Sequence, residues 1–316
     1  SVSLHLNSNF SNREGKNYLL ARNEFYQDDL INIDSLDQYA ENFLHSNSIS
    51  ARFAYTEPLS ENSVVQFSYR YSRNWSESDR RTWDYDPETS EYSTIDSLIS
   101  GIFDNNFDKN QAGIGYRFMK NRTMLMAGIN YENTLLINDQ EFPNPLSNRY
   151  SFNCILPNAM FNLRGKKGKN MRIIFRTTTD VPSINQLQEV IDNTNSLQLS
   201  TGNSGLKQEV SHNLIFRYSS ANIERSSLYY FGTRVKVDQD HISNSLYIPA
   251  SDTSIQGVEI KKGTRLTMPE NFSGYYSGSI FMNYGVPLEF IRCNLNLNSS
   301  LSLSRNPGRI NSETGY

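Results

Sequence analysis

The chain of 316 residues is long enough for one or two domains, yet only 37% of it is hydrophobic and its mean hydropathy is clearly negative. With 33 acidic and 30 basic residues the net charge is −3, which supplies no basic field for gripping a nucleic-acid backbone. The two cysteines, Cys154 and Cys293, fit neither a metal-ligand spacing nor a disulfide framework, and 19 tyrosines with 17 phenylalanines make the chain wet and aromatic together.

No initiator Met, apolar signal segment or apolar run approaching the ~20 residues of a transmembrane helix is present. Ser1 leads straight into an alternating stretch (Val2, Leu4, Leu6), and the chain stops in polar Ser-Glu-Thr-Gly-Tyr. The sequence therefore reads as an internal piece of a longer protein.

In chain order, a long segment from about Ser8 to His45 precedes a strand at Ile49 to Tyr55, and a short turn, EPLSEN, follows. VVQFSYRYSR alternates with period two: Val65, Phe67, Tyr69 and Tyr71 oppose Gln66, Ser68, Arg70 and Ser72. After a long loop (Asn74 to Asp108), QAGIGYRF groups Ala112, Ile114, Tyr116 and Phe118. The short turn MKNR leads into TMLMAGINY, with Leu125, Ala127, Ile129 and Tyr131 on one side. A medium loop (Asn138 to Asn148) is followed by the short GKKGKN. A long polar connection (Pro182 to Glu209) is followed by SHNLIFRYS, which groups Leu214, Phe216 and Tyr218, and by SSANIE. A further long stretch (about Asp240 to Pro269) is followed by GVPLEF, and IRCNLNLNSSLSLSR sets Ile291, Cys293, Leu295, Leu297, Leu301 and Leu303 against Asn and Ser. Helical periodicity is confined to SINQLQEVI, where Ile184, Leu187 and Ile191 fit one face.

Long and short connections thus alternate, which in an up-and-down sheet collects the long loops at one end. Alternation over ten residues or more suits the ~9 to 11 tilted residues that cross a bilayer, and exceeds the ~5 to 6 common in soluble strands. The expected fold is all-β: an antiparallel up-and-down transmembrane β-barrel, with residues 1–316 forming part of a single barrel domain. About eleven strands leave edges that cannot stand in lipid, so the remainder must lie elsewhere, in a large barrel of about 22 strands. Tyr55, Tyr71, Tyr131, Tyr218 and Tyr284 suit an interfacial girdle or ordinary packing.

The connection after the strand ending near Asp180 carries Pro182, Ser183, Ile184, Gln186 and Leu187, then Asp-Asn-Thr-Asn, then Gly202, Asn203, Leu206, Lys207 and Glu209. This pattern resembles TonB-dependent outer-membrane transporters, particularly those of Bacteroidota, where it sits on the extracellular side between two barrel strands. In the residues themselves, Pro182 stops a strand, and Gly202 and Asn203 allow a positive-φ turn. The resemblance implies a receptor, not an enzyme, that imports a scarce nutrient through the Gram-negative outer membrane with its long loops extracellular. Its implied partners are membrane lipid, the TonB complex through an N-terminal part with a plug, a small-molecule, oligosaccharide or peptide ligand, and a surface lipoprotein; no cofactor and no nucleic acid are implied.

Ligand capture is expected in the most aromatic loop, where Trp75, Trp83, Tyr85 and Tyr92 stand beside Arg80, Arg81, Asp84 and Asp86; rings next to charges can stack on a sugar or catecholate, or simply pack on each other. The Asp84, Asp86, Glu88 spacing fails as an EF-hand because Thr89 and Ile95 stand where Gly and an acid are needed. His5, His45, His212 and His241 form no local catalytic motif. An outer-membrane hydrolase or protease assembled from separate strands, a passive pore or adhesin, and a soluble carbohydrate-binding β-protein remain the alternatives.

Overall fold

The computed structural model describes residues 1–27, 30–97, 99–166, 168–189, 191, 197–222, 226–255, 258–311 and 313–315. The expected Asp-Asn-Thr-Asn part of the polar connection lies outside them, as does the side chain of Ile184. The elements are β1 (Val2–Gln27), β2 (Leu30–Ser60), β3 (Ser63–Asp86), β4 (Glu91–Ile95), β5 (Gly101–Lys120), β6 (Thr123–Phe142), β7 (Leu146–Arg164), β8 (Lys169–Asp180), α1 (Ile184–Leu187), β9 (Gln198–Ser200) and β10 (Glu209–Asn222). They continue with β11 (Ser227–Gln239), β12 (His241–Tyr247), β13 (Thr253–Ile255), β14 (Val258–Ile260), β15 (Arg265–Phe272), β16 (Tyr275–Leu288), a 3-10 turn at Glu289–Ile291, β17 (Cys293–Arg305), β18 (Gly308–Ile310) and β19 (Glu313–Gly315).

Among the described residues, eleven long strands form one antiparallel wall in the order β1-β2-β3-β5-β6-β7-β8-β10-β11-β16-β17, with β4 paired to the far end of β3. The registers keep the apolar parity aligned from strand to strand. Phe53 opposes Tyr69, Phe67 opposes Ile114, Ile114 opposes Ile129, and Leu214 opposes both Phe175 and Val235. Ile280 then opposes Thr233 and Leu301, while Tyr284 opposes Tyr229 and Leu297. Since a one-residue slip would move a whole strand's apolar set to the other face, this agreement fixes one continuous apolar face and one polar face.

The burial pattern is inverted relative to a water-soluble sheet. Leu214, Ile280 and Leu301 on the apolar face are 47%, 44% and 68% exposed, whereas Thr134 and Asn138 on the polar face are fully buried. An apolar surface of this extent requires an apolar solvent. Tyr276 and Tyr284 on β16 are eight residues apart, about 26 Å along the strand and roughly 20 Å in height at a 35–45° tilt, near the height of a lipid-facing band.

The short connections are tighter than the sequence suggests. β5 and β6 join through Asn121-Arg122, with Asn121 at φ +54°, the left-handed conformation Asn tolerates in a two-residue hairpin. GVPLEF is not itself a turn: β16 runs through Leu288, and the reversal falls at Glu289–Arg292, which takes Ile291 out of the alternating strand.

The long segments at the other end are mostly strand rather than loop. Residues 8–27 and 30–45 belong to a ribbon in which β1 and β2 pair without a slip from Val2↔Tyr55 to Gln27↔Leu30, about 85 Å long. β3, β4 and β5 likewise fill most of residues 74–108. The helical expectation at SINQLQEVI shrinks to the single turn α1. Beside the wall stands a second, mixed sheet, β19-β18-β12-β15-β9, in which β12 pairs β18 and β15 pairs β9 in parallel.

On β17, Leu301 faces Ile280 in mid-strand and Leu297 faces Tyr284 near the short turn. Arg at Leu301 should cost ~2 to 4 kcal/mol in denaturant titrations of the full-length protein in lipid, with Arg at Leu297 costing less and Arg at Ser300 little. Equal costs at all three positions would remove the assignment of the two faces.

Candidate functional site

The polar connection between β8 and β10 folds over the polar face at the long-loop end. Leu187 of α1 and Leu206 are buried against Leu136, with Phe107, Tyr150 and Ile242 packed around them; Leu136, Phe107 and Tyr150 are polar-parity positions of three wall strands. Ile191 joins a different cluster with Leu199, Ile260 and Leu266. The end of α1 therefore faces the wall, while Ile191 packs on β9, β14 and β15.

The motif residues hold this fold by specific bonds. Ser183 donates from its backbone N–H (2.9 Å) and hydroxyl (3.1 Å) to Gln186 Oε1. The Gly202 and Asn203 N–H groups donate to the carbonyls of Gln188 (2.9 Å) and Gln186 (2.6 Å). Asn203 Nδ2 donates to the Pro269 carbonyl at 3.1 Å, and Lys207 N–H donates to Asn271 Oδ1 at 2.8 Å. Neither Gly202 nor Asn203 has positive φ, which corrects the sequence expectation. Glycine is required at 202 for close approach, since a Cβ there would meet the Gln188 carbonyl oxygen at 2.2 Å. Glu189 clasps the same turn: its Oε1 accepts from the Ser204 hydroxyl and N–H, which hold its carboxyl below its ordinary value.

Glu209 ends the motif and ties wall to lid. Its Oε2 lies 2.7 Å from His241 Nδ1 and accepts from Ile242 N–H, while Lys236 Nζ lies 2.6 Å from Asp238 Oδ2 and 3.5 Å from Glu209 Oε1. His241 stacks on Tyr275, the first residue of β16, with ring centroids 4.1 Å apart. Glu209, Asp238 and His241 are close enough to hold a metal, but the Lys236 ammonium already supplies the cation. Ser211 is nearby, yet its hydroxyl donates to Asp238 (2.7 Å) while His241 Nε2 faces Asn306, so the base does not stand between nucleophile and acid as a catalytic triad needs.

Between lid and wall lies a cavity of about 520 Å³, lined by Arg80, Asn42, Gln186, Gln188, Thr201 and Asn244 among others. Thr201 is buried and its hydroxyl has no hydrogen-bond partner within the described structure. The volume is within the range of small-molecule sites.

The ligand candidates of the aromatic segment are divided by the sheet. Trp75, Arg81, Trp83 and Tyr85 share the parity of Tyr69 and Tyr71, so they stand on the outward face; Arg80, Asp84 and Asp86 stand on the inward one. Trp83 stacks on Tyr39 at 5.8 Å, Tyr39 packs on Tyr18 at 4.7 Å, and Tyr92 packs on Tyr39 and Tyr85. Their polar groups are engaged locally. Tyr92 donates to Asp37, Arg81 makes a two-pronged contact with Asp79, Asp84 accepts from Gln38, and Asp86 caps its own turn through Glu88 N–H and the Thr89 hydroxyl. Of the eight candidates, Arg80 lines the cavity. Tyr18 and Tyr39 were missed because they lie in the segment expected to be loop; the alternation of Tyr18 with Leu20 was the available signal.

Residues 2–315 match the outer membrane protein beta-barrel family, and the chain belongs to it. The sequence matches no curated protein. Among solved structures, a double mutant of the Serratia marcescens hemophore receptor HasR in complex with HasA and heme is 9% identical, with a TM-score of 0.59 over 96% of this chain and 46% of that one. The unliganded ferric citrate transporter FecA (9% identity, TM-score 0.53, 94% of this chain and 40% of that one) and the copper transporter OprC (12%, 0.50, 93% and 46%) share the fold. The chain thus spans less than half the length of these receptors and transporters.

Gly202→Ala should undock the lid at a cost of about 1–3 kcal/mol, seen as faster proteolysis between residues 183 and 206 with the wall strands still protected; unchanged protection would show that the close approach is dispensable. The Glu189 clasp has a pH sign. With its carboxyl value depressed in the fold, its contribution is complete above the unfolded value of about 4.3 and is lost as pH falls through the lower folded value. A nitroxide at Gly205→Cys should gain mobility as the medium is acidified below that range, and Glu189→Gln should give the mobile spectrum already at neutral pH. A spectrum independent of pH would exclude the clasp.

Proposed function

We propose that the chain is the barrel portion of a TonB-dependent outer-membrane receptor of the Bacteroidota type, which captures a scarce nutrient at its extracellular end and passes it to the periplasm. The observation that carries this reading is the lidded cavity beside Arg80, at the long-loop end of a wall whose other face suits lipid. Residues 1–316 form one barrel domain in this reading. The ligand is a small molecule, oligosaccharide or peptide, and recognition is seated on the inward face because the outward aromatic cluster has most of its polar groups engaged. Energy comes from the TonB complex, reached through a part of the protein beyond this sequence, and a surface lipoprotein is a further partner. Hemophore, citrate and copper in the names of the compared structures belong to those proteins and do not select a ligand here.

Sidedness and energy coupling are tested together in the full-length protein, with Cys154 and Cys293 first replaced by Ser. Cys at Ser90, in the turn between β3 and β4, should react with a membrane-impermeant maleimide on intact cells, and Cys at Arg122, between β5 and β6, should react only after the outer membrane is opened. The same protein should co-purify with the periplasmic domain of TonB. Reversed labelling would invert the topology, and no TonB binding would leave a passive pore as the better reading.

A further inference from the structure

The polar face of the wall is strongly cationic. Register sets Arg52 of β2 opposite Arg70 of β3, and Arg172 of β8 opposite Arg217 of β10. Directly opposed side chains start about 4.5–5.5 Å apart at Cβ, and like charges so placed destabilise a sheet. No carboxylate relieves either pair. Among the described residues Arg52, Arg70, Arg172 and Arg217, together with Arg117 and Arg176 on the same face, make no ion pair or side-chain hydrogen bond, and Arg172 Nε is buried without an acceptor. Glu132, Glu209 and Asp238 on this face are engaged elsewhere: Glu132 with Lys109 at 3.1 Å and the Thr179 hydroxyl, Glu209 with His241, and Asp238 with Lys236.

A net charge of −3 makes this concentration of cations a matter of placement rather than composition. A cavity of about 550 Å³ lies among Arg52, Arg70 and Arg176; Lys109 and its partner Glu132 also line it and offset each other, and the rest of the lining mixes serine, threonine, asparagine and glutamine with apolar side chains such as Leu156 and Phe175. The cations also continue down the wall: Arg117 opposes Val64, six residues or about 20 Å from Arg70 towards the short turns. We infer that the polar face below the lid is a binding path for a small solute carrying two or more negative charges, as carboxylate or phosphate. Guanidinium forks match both groups with paired hydrogen bonds, and an anion between opposed arginines turns their repulsion into a chelating site. The inference deepens the receptor reading and rests on it for the direction of passage, while binding itself does not depend on that reading.

The test uses full-length protein in detergent, with calorimetric titration of pyrophosphate as the anionic probe and maltose as a neutral one. Pyrophosphate should bind and maltose should not. The Arg52→Gln/Arg70→Gln double variant should weaken pyrophosphate about tenfold or more, Arg176→Gln should add to the loss, and Arg149→Gln, on the outward parity, should leave binding unchanged. Without probe, the double variant should melt no lower than wild type, because a repulsion has been removed. Pyrophosphate binding no better than maltose, or unaltered in the double variant, overturns the inference. So does a lower melting temperature of the probe-free variant, which would assign the arginines to acids in another part of the protein. Arginine-dependent binding in a protein that ignores TonB would keep this inference and remove the receptor reading; TonB binding with no arginine effect would do the reverse.

Discussion

Everything in this molecule follows from the rule that a strand inside hydrocarbon must satisfy its backbone groups through its neighbours, because no water is present to do so. The rule demands long uninterrupted ladders, and the ladders fix the side-chain period at two. Once the period is fixed, one face must be as apolar as the lipid, and all the polar chemistry goes to the other. The register from β1 to β17 keeps that division aligned across ten strand pairings, including the long excursion between β11 and β16.

Where the wall leaves lipid the rule relaxes, and the two ends use the freedom differently. At one end the chain turns at once, with Asn121 and Arg292 in the left-handed conformation. At the other it continues as paired ribbon or folds back over the polar face. Folding back needs anchors at both ends of the returning chain. Leu187 and Leu206 supply apolar anchorage on Leu136, and Glu209 supplies a polar one by engaging groups from β11 and β12 at the point where β10 starts. The spacing of the motif is thus the spacing of a lid's attachments.

The wall was legible in the sequence because lipid imposes period two on every spanning stretch: the sets of Leu214, Phe216 and Tyr218 or Leu295, Leu297, Leu301 and Leu303 are the observed apolar positions. Above the membrane the signal fails. In β1 beyond Phe10 the alternation thins to Tyr18 and Leu20, and the strand rests mainly on its pairing with β2. The second sheet was invisible for a different reason: strands of three to eight residues from separate connections meet only after the wall has placed them. At Gly202 the residue was rightly singled out for the wrong cause, because a glycine needed for close approach cannot be told in sequence from one needed for a turn.

The division of faces also limits what a sequence window can say about a site. Arg80 and Arg81 are neighbours in the chain, yet one lines the cavity while the other pairs with Asp79 on the opposite face. A ligand that stacks on Trp83 from outside cannot reach Arg80 without passing through the sheet. Side chains that can cooperate are instead those on one rung and one parity, such as Arg52, Arg70 and Gln111, which come from three strands and lie up to 59 residues apart. For a protein of this architecture, a binding site is a property of the pairing register, and it becomes readable only when the strands are aligned.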